Sequence, residues 1–438
     1  MRLALREPLR EDSLEVMNFL NEVVLRYPGA ISFAPGRPSE KWFDVEDSLR
    51  QTGRFAQRRA ELDGRSRESV WGELGQYGKT NGLIQELIAR HLSRDEGIDV
   101  PPEAIIVTVG CQEAMLILMM GLFDPARDVL LVSDPTYIGI TGLAHILGVE
   151  LCPVASGEQG LEAKAVSAAI ERVRSSGKRP RAVYDIPDFN NPLGTSMPLA
   201  ERRQLLALAR DQQLLIFEDN PYGMFAYDGA PLPTLKALEG EGREDGACER
   251  VVVYLGSFSK TLFPGLRLGY LVADQQVSAP GDGETRLLAE ELSRIKSLTT
   301  VNTSPVIQAI AGGVLQDNGG SLGPVVARKR SFYKTLRDAM LGALERATRR
   351  EGLAPHAVRW NRPQGGFFLA VTLPFEFGED CLERCAADYG VICCPMSFFS
   401  LRPGREHQIR LSFSCVTERE IEEGVGRLAR FIGDRVRR

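Results

Sequence analysis

The segment SFSKTLFPGLRLGY, residues 257–270, brings together residue types that can bind a phosphate and form a Schiff base. Lys260 lies among hydroxyl side chains and glycine, and a partly desolvated amine has a lowered pKa and can attack a carbonyl group. Ser257 and Ser259 supply hydroxyl donors and Arg267 a two-pronged guanidinium, which together suit a phosphate. The alternative is that Lys260 is a solvated loop lysine, and this segment alone does not decide between the two.

Three other segments place polar residues or glycine directly after apolar, strand-like runs. EDNPYG (218–223) follows LLIFE, and the carboxyl end of a parallel strand is where α/β folds bind ligands. PDFNNPLG (187–194) follows AVYDI, and VTVGCQEAM (107–115) passes through Gly110 into a helix whose first amides would suit an anion. Each segment alone is also explained as a turn or an ordinary strand-to-helix junction. Their combination is much stronger evidence for a site than any one of them.

The elements that must position these residues alternate along the chain between strands and helices. Continuous apolar strands between helices predict a mainly parallel sheet covered on both faces, which is an α/β doubly wound domain. A long helical pattern starts near Pro324 and ends before Gly352, and shorter strands and helices follow it. The apolar runs of the first part lie at residues 105–109, 129–133, 182–186, 214–218, 251–257 and 266–273.

We therefore expect an N-terminal segment (1–45) packed on a small domain, a large domain (46–322) and a small α+β domain (323–438). The charged segment 48–72 is expected to be a surface loop or a broken helix.

Composition limits the classes of function. The 438 residues exceed the usual size of one domain, and the hydrophobic (43%) and charged (25%) fractions are ordinary for a globular chain. A net charge of −5 without a long basic tract favours neither nucleic acid nor a membrane surface as partner. The N-terminus carries charges where a signal peptide needs an apolar core, so we expect a cytoplasmic protein. Eight cysteines without a CxxC pair and four histidines without ligand spacing do not support a metal site.

In this order and spacing, the segments resemble the fold type I aminotransferases, which use pyridoxal 5'-phosphate, and the resemblance covers nearly the whole chain. Its blocks are ISFAPGRP, QYGKTNG, VGCQEAM, DPTY, DFNNPLG, EDNPYG, SFSKTLFPGLRLG, GGFF and IRLSFS. The most similar subgroup contains the 2-aminoadipate and kynurenine aminotransferases. The resemblance implies a mainly parallel seven-stranded sheet in a large domain, a smaller α+β domain, and a homodimer with shared active sites.

The resemblance also implies roles around the cofactor ring. Lys260 would hold the cofactor as a Schiff base and then move the substrate α-proton. Asp219 would pair with the protonated pyridine nitrogen and keep the ring an electron sink. Asn191 and Tyr222 would hydrogen-bond the ring 3-oxygen, and Tyr137 would stack on the ring face.

Further roles follow for the phosphate and the substrate. The phosphate would be held by Ser257, Ser259, Arg267 and the backbone amides at Cys111 and Gln112. Tyr77 would reach the phosphate of the neighbouring subunit. Arg410 would clamp the substrate α-carboxylate, with Gly36 and Asn191 beside it. Cys111 departs from the serine or alanine more usual in the family, which puts a side-chain hydroxyl contact in doubt.

The segments MNFLNEVVLRYPGAISFAPGRP and VGCQEAM are similar to the aminotransferases that make dihydroxyphenylglycine or hydroxyphenylglycine for glycopeptide antibiotics. We therefore expect amino-group exchange between an arylglycine, such as 3,5-dihydroxyphenylglycine, and 2-oxoglutarate. A broad-specificity aromatic or 2-aminoadipate aminotransferase and a lyase stay open, because fold does not fix function. A cofactor-sensing regulator would need a DNA-binding extension, for which the residues before ISFAPGRP leave no room. Phe33, Phe367 and Phe398 are candidates for the side-chain pocket.

Overall fold

The computed structural model describes residues 16–241, 249–278, 284–354 and 356–437. The helices are α1 (Val16–Arg26), α2 (Val45–Asp63), α3 (Arg67–Leu74), α4 (Gln85–Glu96), α5 (Gly110–Leu122), α6 (Ile138–Leu147), α7 (Ala163–Ser175), α8 (Leu199–Gln212), α9 (Leu235–Gly240), α10 (Phe258–Thr261), α11 (Leu288–Thr299), α12 (Pro305–Asp317), α13 (Gly323–Arg350), α14 (Glu379–Tyr389) and α15 (Glu418–Arg437). The strands are β1 (Ile31–Ser32), β2 (Ile105–Thr108), β3 (Asp128–Asp134), β4 (Glu150–Gly157), β5 (Gly160–Leu161), β6 (Arg179–Asp185), β7 (Leu215–Asp219), β8 (Val252–Ser257), β9 (Gly269–Val272), β10 (Gln276–Ser278), β11 (Thr285–Leu287), β12 (Arg359–Trp360), β13 (Phe368–Thr372), β14 (Val391–Ile392), β15 (Cys394–Pro395) and β16 (Gln408–Ser412).

The central sheet has the strand order β2-β9-β8-β7-β6-β3-β4-β5. The strands from β8 to β4 pair in parallel, whereas β9 is antiparallel to both of its neighbours. Alternate residues of β3 pack on opposite faces: Leu130 and Val132 enter one hydrophobic core, and Val129 and Leu131 enter the other. The predicted α/β fold with a mainly parallel sheet is confirmed, with the two-residue β5 added to the seven longer strands.

The apolar runs in the sequence revealed neither strand β4 of the large sheet nor helix α7, which packs on that sheet. Strand β4, ELCPVASG, alternates buried and more exposed residues near the end of the sheet, so it has no continuous apolar run. Helix α7 packs on β4 and β6. Its buried side chains, such as Val166 and Ile170, recur at helical spacing between charged residues.

The segment 48–72 forms most of the helices α2 and α3, which are interrupted at residues 64–66, so the expected broken helix is confirmed and the alternative of a surface loop is wrong. Helix α2 ends at Gly64, which has a φ of +62°, and α3 starts after the capping Ser66. Helix α2 packs closely on α12, where a Cβ on Gly312 would lie 2.7 Å from the Phe55 ring. Few side chains of α2 are apolar. This packing therefore stabilises the helix more than the helix propensity of its residues does.

The C-terminal part combines the long helix α13, which packs on α15, with the antiparallel sheet β12-β13-β16-β15. The predicted helix after Pro324 is confirmed. Strand β1 pairs in parallel with β14, and the Ser412 amide donates to the Phe33 carbonyl at 2.7 Å. Residues 31–33 therefore join the C-terminal elements. The boundaries at 45/46 and 322/323 stay a prediction. Across the described ranges, no helix is long and apolar enough to cross a membrane.

Candidate active site

A cavity of about 380 Å³ lies at the carboxyl ends of β6, β7 and β8, beside the start of α5. It brings together these residues predicted from the sequence: Gly36, Cys111, Gln112, Tyr137, Asn191, Asp219, Tyr222, Ser257, Ser259, Lys260, Arg267 and Arg410. Tyr77 does not line it and is 84% exposed on the surface of this chain. Residues from distant parts of the sequence thus converge because parallel strands end at the same edge of a sheet.

Asp219 is a buried carboxylate at the end of β7 with one oxygen unsatisfied. Its Oδ2 accepts a hydrogen bond from the Tyr184 hydroxyl at 2.7 Å, whereas its Oδ1 is buried without a partner. Burial raises the pKa of Asp219 to about 6, although Tyr184 and Lys260 both act to lower it. A buried oxygen with no partner is expensive, so its retention indicates a positively charged or hydrogen-bonding group that belongs beside it.

Lys260 lies on the short helix α10, directly after β8. Its Nζ donates to the Gly36 carbonyl at 3.0 Å and lies 5.9 Å from the centre of the Tyr222 ring. Burial lowers the pKa of Lys260 to about 8, and the positive charges of Arg267 and Arg410 lower it further, against the opposite effect of Asp219. About a tenth of this amine is therefore neutral and nucleophilic at pH 7, far more than for a lysine with the ordinary pKa of 10.5.

The starts of α5 and α10 form one end of the cavity, where their donors could bind an anion. Gly110 has a φ of +71°, and a Cβ there would lie 2.8 Å from Nη2 of Arg267, so the guanidinium lies directly against the helix start. Ser257 caps α10, since its Oγ accepts from the Ser259 amide at 3.1 Å. Arg267 precedes β9 in a left-handed conformation (φ 48°), not within a strand as its run LRLGYLVA suggested. Cys111 donates its thiol to the Gly256 carbonyl at 3.1 Å.

Arg410 enters the cavity from β16. Its Nη1 donates to Asn191 Oδ1 at 2.7 Å, and its Nη2 donates to the Ala34 carbonyl at 2.5 Å. The guanidinium carbon lies over two aromatic rings, 4.5 Å from the centre of Phe368 and 4.6 Å from that of Phe399. This stacking fixes the plane of the fork, which suits two-pronged binding of a carboxylate.

Two tyrosines complete the polar lining. Tyr222 is buried against Phe367 and Phe368, and burial raises its pKa. Burial also raises the pKa of Tyr137 to about 12, so both phenols stay protonated and can donate hydrogen bonds. Gln112 donates to the Gly139 carbonyl at 3.0 Å, and this contact joins the starts of α5 and α6.

Several residues at the site were missed. Tyr184 was overlooked because its role depends on the pairing of β6 with β7, which places it beside Phe217 and on the same face as Asp219. Arg37 follows the predicted Gly36 and lines the cavity. The apolar wall consists of Val24, Met115, Ile138, Ile186 and Phe399.

The proposed side-chain pocket residues do not line this cavity. Phe33 and Phe367 are fully buried core residues, and Phe398 packs against Phe19 at 6.0 Å. The prediction for these three residues is therefore wrong. Phe399, one position further, is the residue that faces the cavity.

The site fits pyridoxal 5'-phosphate by the chemistry of its donor set. The unsatisfied Asp219 Oδ1 suits a protonated ring nitrogen, and the Lys260 amine suits the aldehyde. The exposed Arg267 and the first amides of α5, which lack partners within their own helix, suit the phosphate. Among the described residues, no cluster of three or more His, Cys, Asp and Glu side chains could hold a metal ion.

Comparison with known proteins agrees with this site. Residues 56–428 match the model of the family described as aminotransferase class I and II. The chain is 42% identical to (S)-3,5-dihydroxyphenylglycine transaminase of Amycolatopsis orientalis, over 98% of this chain and 94% of the relative. It is 30% identical to aromatic-amino-acid aminotransferase 1 of Thermococcus litoralis, over 93% of this chain and 89% of the relative.

A solved structure is also similar. The kynurenine aminotransferase of Pyrococcus horikoshii, in complex with PMP, superposes with a TM-score of 0.81 at 30% identity. The match covers 99% of this chain and 98% of that protein.

Proposed function

Because this chain belongs to the class I and II aminotransferases, a family that uses pyridoxal 5'-phosphate, we propose that it exchanges amino groups between an arylglycine and 2-oxoglutarate. The arylglycine is one such as 3,5-dihydroxyphenylglycine. The observation that carries this proposal is the 42% identity to a transaminase of that substrate over nearly the full length of both chains. The apolar wall of the cavity supports an aromatic substrate side chain.

Two groups of residues are proposed to hold the cofactor, one at its phosphate and one around its ring. Ser257, Ser259, Arg267 and the amides at Cys111 and Gln112 would hold its phosphate, and Asp219 would hold its ring nitrogen. Asn191 and Tyr222 would contact the ring 3-oxygen, and Tyr137 would cover one ring face. When bound, the cofactor supplies an electron sink for negative charge at the substrate α-carbon.

The protein's own groups would position the substrate and move one proton. Arg410 would bind the α-carboxylate with both of its Nη atoms, releasing the Ala34 carbonyl and sharing Asn191. Lys260 Nζ would take the proton from the α-carbon of the amino donor. In the second half of the exchange, it would return a proton to the α-carbon of the amino acid that is formed. Its lowered pKa keeps part of the amine neutral at working pH, as a general base requires.

We also propose a homodimer with shared sites. Tyr77 is 84% exposed, and the adjoining Gly78 lies against Pro305, next to the exposed Val306. Trp71 and Leu298 are further large apolar side chains left exposed. Tyr77 is thus available to a second copy of this chain, and in the dimer it would reach the partner's cofactor phosphate. A cytoplasmic location stays a prediction of the sequence.

The second candidate is a broad-specificity aromatic aminotransferase. The similarity to an aromatic aminotransferase favours it, because the same apolar wall would accept a longer side chain. A lyase would leave the same motifs unchanged, so the reaction itself must separate these possibilities.

The test is a panel of amino donors and 2-oxo acids with purified, cofactor-loaded enzyme. The proposal expects the highest kcat/KM for 3,5-dihydroxyphenylglycine or 4-hydroxyphenylglycine paired with 2-oxoglutarate. Without an acceptor, a transaminase forms at most one oxo acid per site and releases no ammonia, whereas a β-eliminating lyase releases ammonia in every turnover from an amino acid with a leaving group on its β-carbon. Higher kcat/KM for phenylalanine or 2-aminoadipate would favour the broad-specificity alternative, and continuous ammonia release would overturn both.

A further inference from the structure

The charges that line the active-site cavity do not balance. Among the described lining residues, the cations are Lys260, Arg267, Arg410 and Arg37, and Asp219 is the carboxylate. The proposed function accounts for all of these except Arg37. Arg267 would bind the phosphate, Arg410 the α-carboxylate and Asp219 the ring nitrogen. Lys260 would form the Schiff base with the cofactor. One guanidinium therefore remains at the cavity without a ligand.

The backbone of Arg37 is held in place from two sides. The Ser414 hydroxyl donates to the Arg37 carbonyl at 2.6 Å. The preceding Gly36 accepts from Lys260, and a Cβ at Gly36 would lie only 2.4 Å from the Phe368 ring. The backbone of Arg37 therefore lies next to the Gly36 carbonyl, which contacts the Lys260 amine. Arg37 also follows by three residues Ala34, whose carbonyl contacts Arg410.

The side chain of Arg37, in contrast, is loosely held. Its Nη1 lies 3.2 Å from Glu40 Oε1, and the two side chains are 59% and 70% exposed. The Arg37 side chain is also hydrogen-bonded to the Cys415 thiol. Burial raises the pKa of this thiol, so the thiol stays protonated and places no negative charge beside Arg37. An exposed ion pair of neighbouring residues contributes little to stability, so a carboxylate from a ligand can replace Glu40.

We propose that Arg37 binds the distal carboxylate of a dicarboxylic partner, glutamate or 2-oxoglutarate, while Arg410 binds its α-carboxylate. This inference rests on the proposed function, because it takes the α-carboxylate position from it. When an aromatic substrate is bound, Arg37 forms its ion pair with Glu40, and the substrate side chain packs against the apolar wall. One cavity then accepts a dicarboxylate and an aromatic amino acid in turn.

The test compares binding of the unreactive diacid glutarate with that of the monoacid benzoate to the cofactor-loaded enzyme, by calorimetry. Arg37→Gln should weaken glutarate binding about fivefold, the upper end for an ion pair of an exposed guanidinium, and leave benzoate binding unchanged. Glu40→Gln should tighten glutarate binding about two- to fivefold, since it removes the competing carboxylate.

Arg50→Gln is the matched control. Arg50 is similarly exposed (56%) and paired with the nearby Glu46, but it does not line the cavity, so glutarate binding should not change. The KM values for L-glutamate and L-phenylglycine in the four proteins should follow the same pattern as glutarate and benzoate.

Equal weakening of glutarate and benzoate by Arg37→Gln, or no effect on either, would overturn the inference. A larger loss for phenylglycine than for glutamate would also overturn it, since Arg37 would then support the aromatic ring. If no variant or wild-type enzyme transaminates any amino acid but glutarate still depends on Arg37, the proposed function fails and the carboxylate site stands.

Discussion

Replacing Asp219 by asparagine should make the cofactor-free protein more stable and the loaded enzyme much slower. Both effects come from the unsatisfied, buried Oδ1. Asparagine keeps an acceptor for the Tyr184 hydroxyl and nearly the same volume, so the substitution removes the charge and little else.

The gain in stability follows from the pKa. Asp219 has a pKa of about 6 in the fold against an ordinary 3.8, and one pKa unit corresponds to about 1.4 kcal/mol. Ionised Asp219 thus costs the cofactor-free fold about 3 kcal/mol. Because the folded pKa is raised, this cost is absent below pH 3.8 and fully present above about pH 6. The advantage of Asp219→Asn in free energy of unfolding should therefore be largest at pH 7–8 and vanish toward pH 4.

The loss of activity follows from the same charge. A buried carboxylate that faces developing charge in a reaction contributes about 3 to 4 kcal/mol, so kcat should fall about 100- to 1000-fold. Cofactor binding should persist, because Ser257, Ser259 and Arg267 would still hold the phosphate.

Asp185→Asn is the matched control. Asp185 is 2% exposed at the end of the neighbouring β6 and has a pKa raised to about 6 by burial, yet it does not line the cavity. It should show the same pH-dependent gain in stability while kcat stays within about threefold. Denaturant unfolding of cofactor-free protein at several pH values and steady-state kinetics measure both. A wild-type kcat in Asp219→Asn, or a stability gain that persists at pH 4, would refute the reasoning.

Four further predictions concern the other groups of the site. Borohydride reduction of the yellow protein should label the peptide that contains Lys260, and label on another lysine ends that assignment. In cofactor-free protein, the reactivity of Lys260 toward an amine reagent should rise with pH with a midpoint near 8, as the neutral fraction grows; a midpoint near 10.5 would contradict its lowered pKa. Arg410→Lys should raise the substrate KM about tenfold with cofactor absorbance unchanged, because lysine cannot bind two carboxylate oxygens side by side; a changed spectrum with normal KM would place Arg410 elsewhere. Mixing Lys260→Ala and Tyr77→Phe chains should partly restore activity, since one site of each heterodimer is then intact; no recovery, or a fully active monomer, would reject shared sites.

The site was more predictable from the sequence than the elements around it. Asp219 and Lys260 follow strands with continuous apolar runs, and parallel strands bring their carboxyl ends together whatever their order. Tyr184 could not be found this way, because its contact with Asp219 depends on strand register, which the sequence leaves open. Strand β4 was missed because it lies near the end of the sheet and lacks a continuous apolar run.

The pocket prediction failed for a related reason. Phe33 and Phe399 are equally apolar, and only packing decides which of them enters the core and which faces the cavity. The sequence left helix α2 open between a loop and a broken helix because few of its side chains are apolar, whereas its close approach to α12 depends on glycines of that helix.

The pairing of β1 with β14 has a consequence for biosynthesis. Residues 31–37 leave the ribosome early, but their backbone partners in β14 and β16 are made some 360 residues later. Until then the Gly36 and Ala34 carbonyls have no framework that holds them near Lys260 and Arg410. The large sheet can form during synthesis, whereas the substrate side of the cavity closes only after translation has nearly ended. A ribosome stalled before Arg410 would therefore carry a chain with a folded sheet and no substrate site.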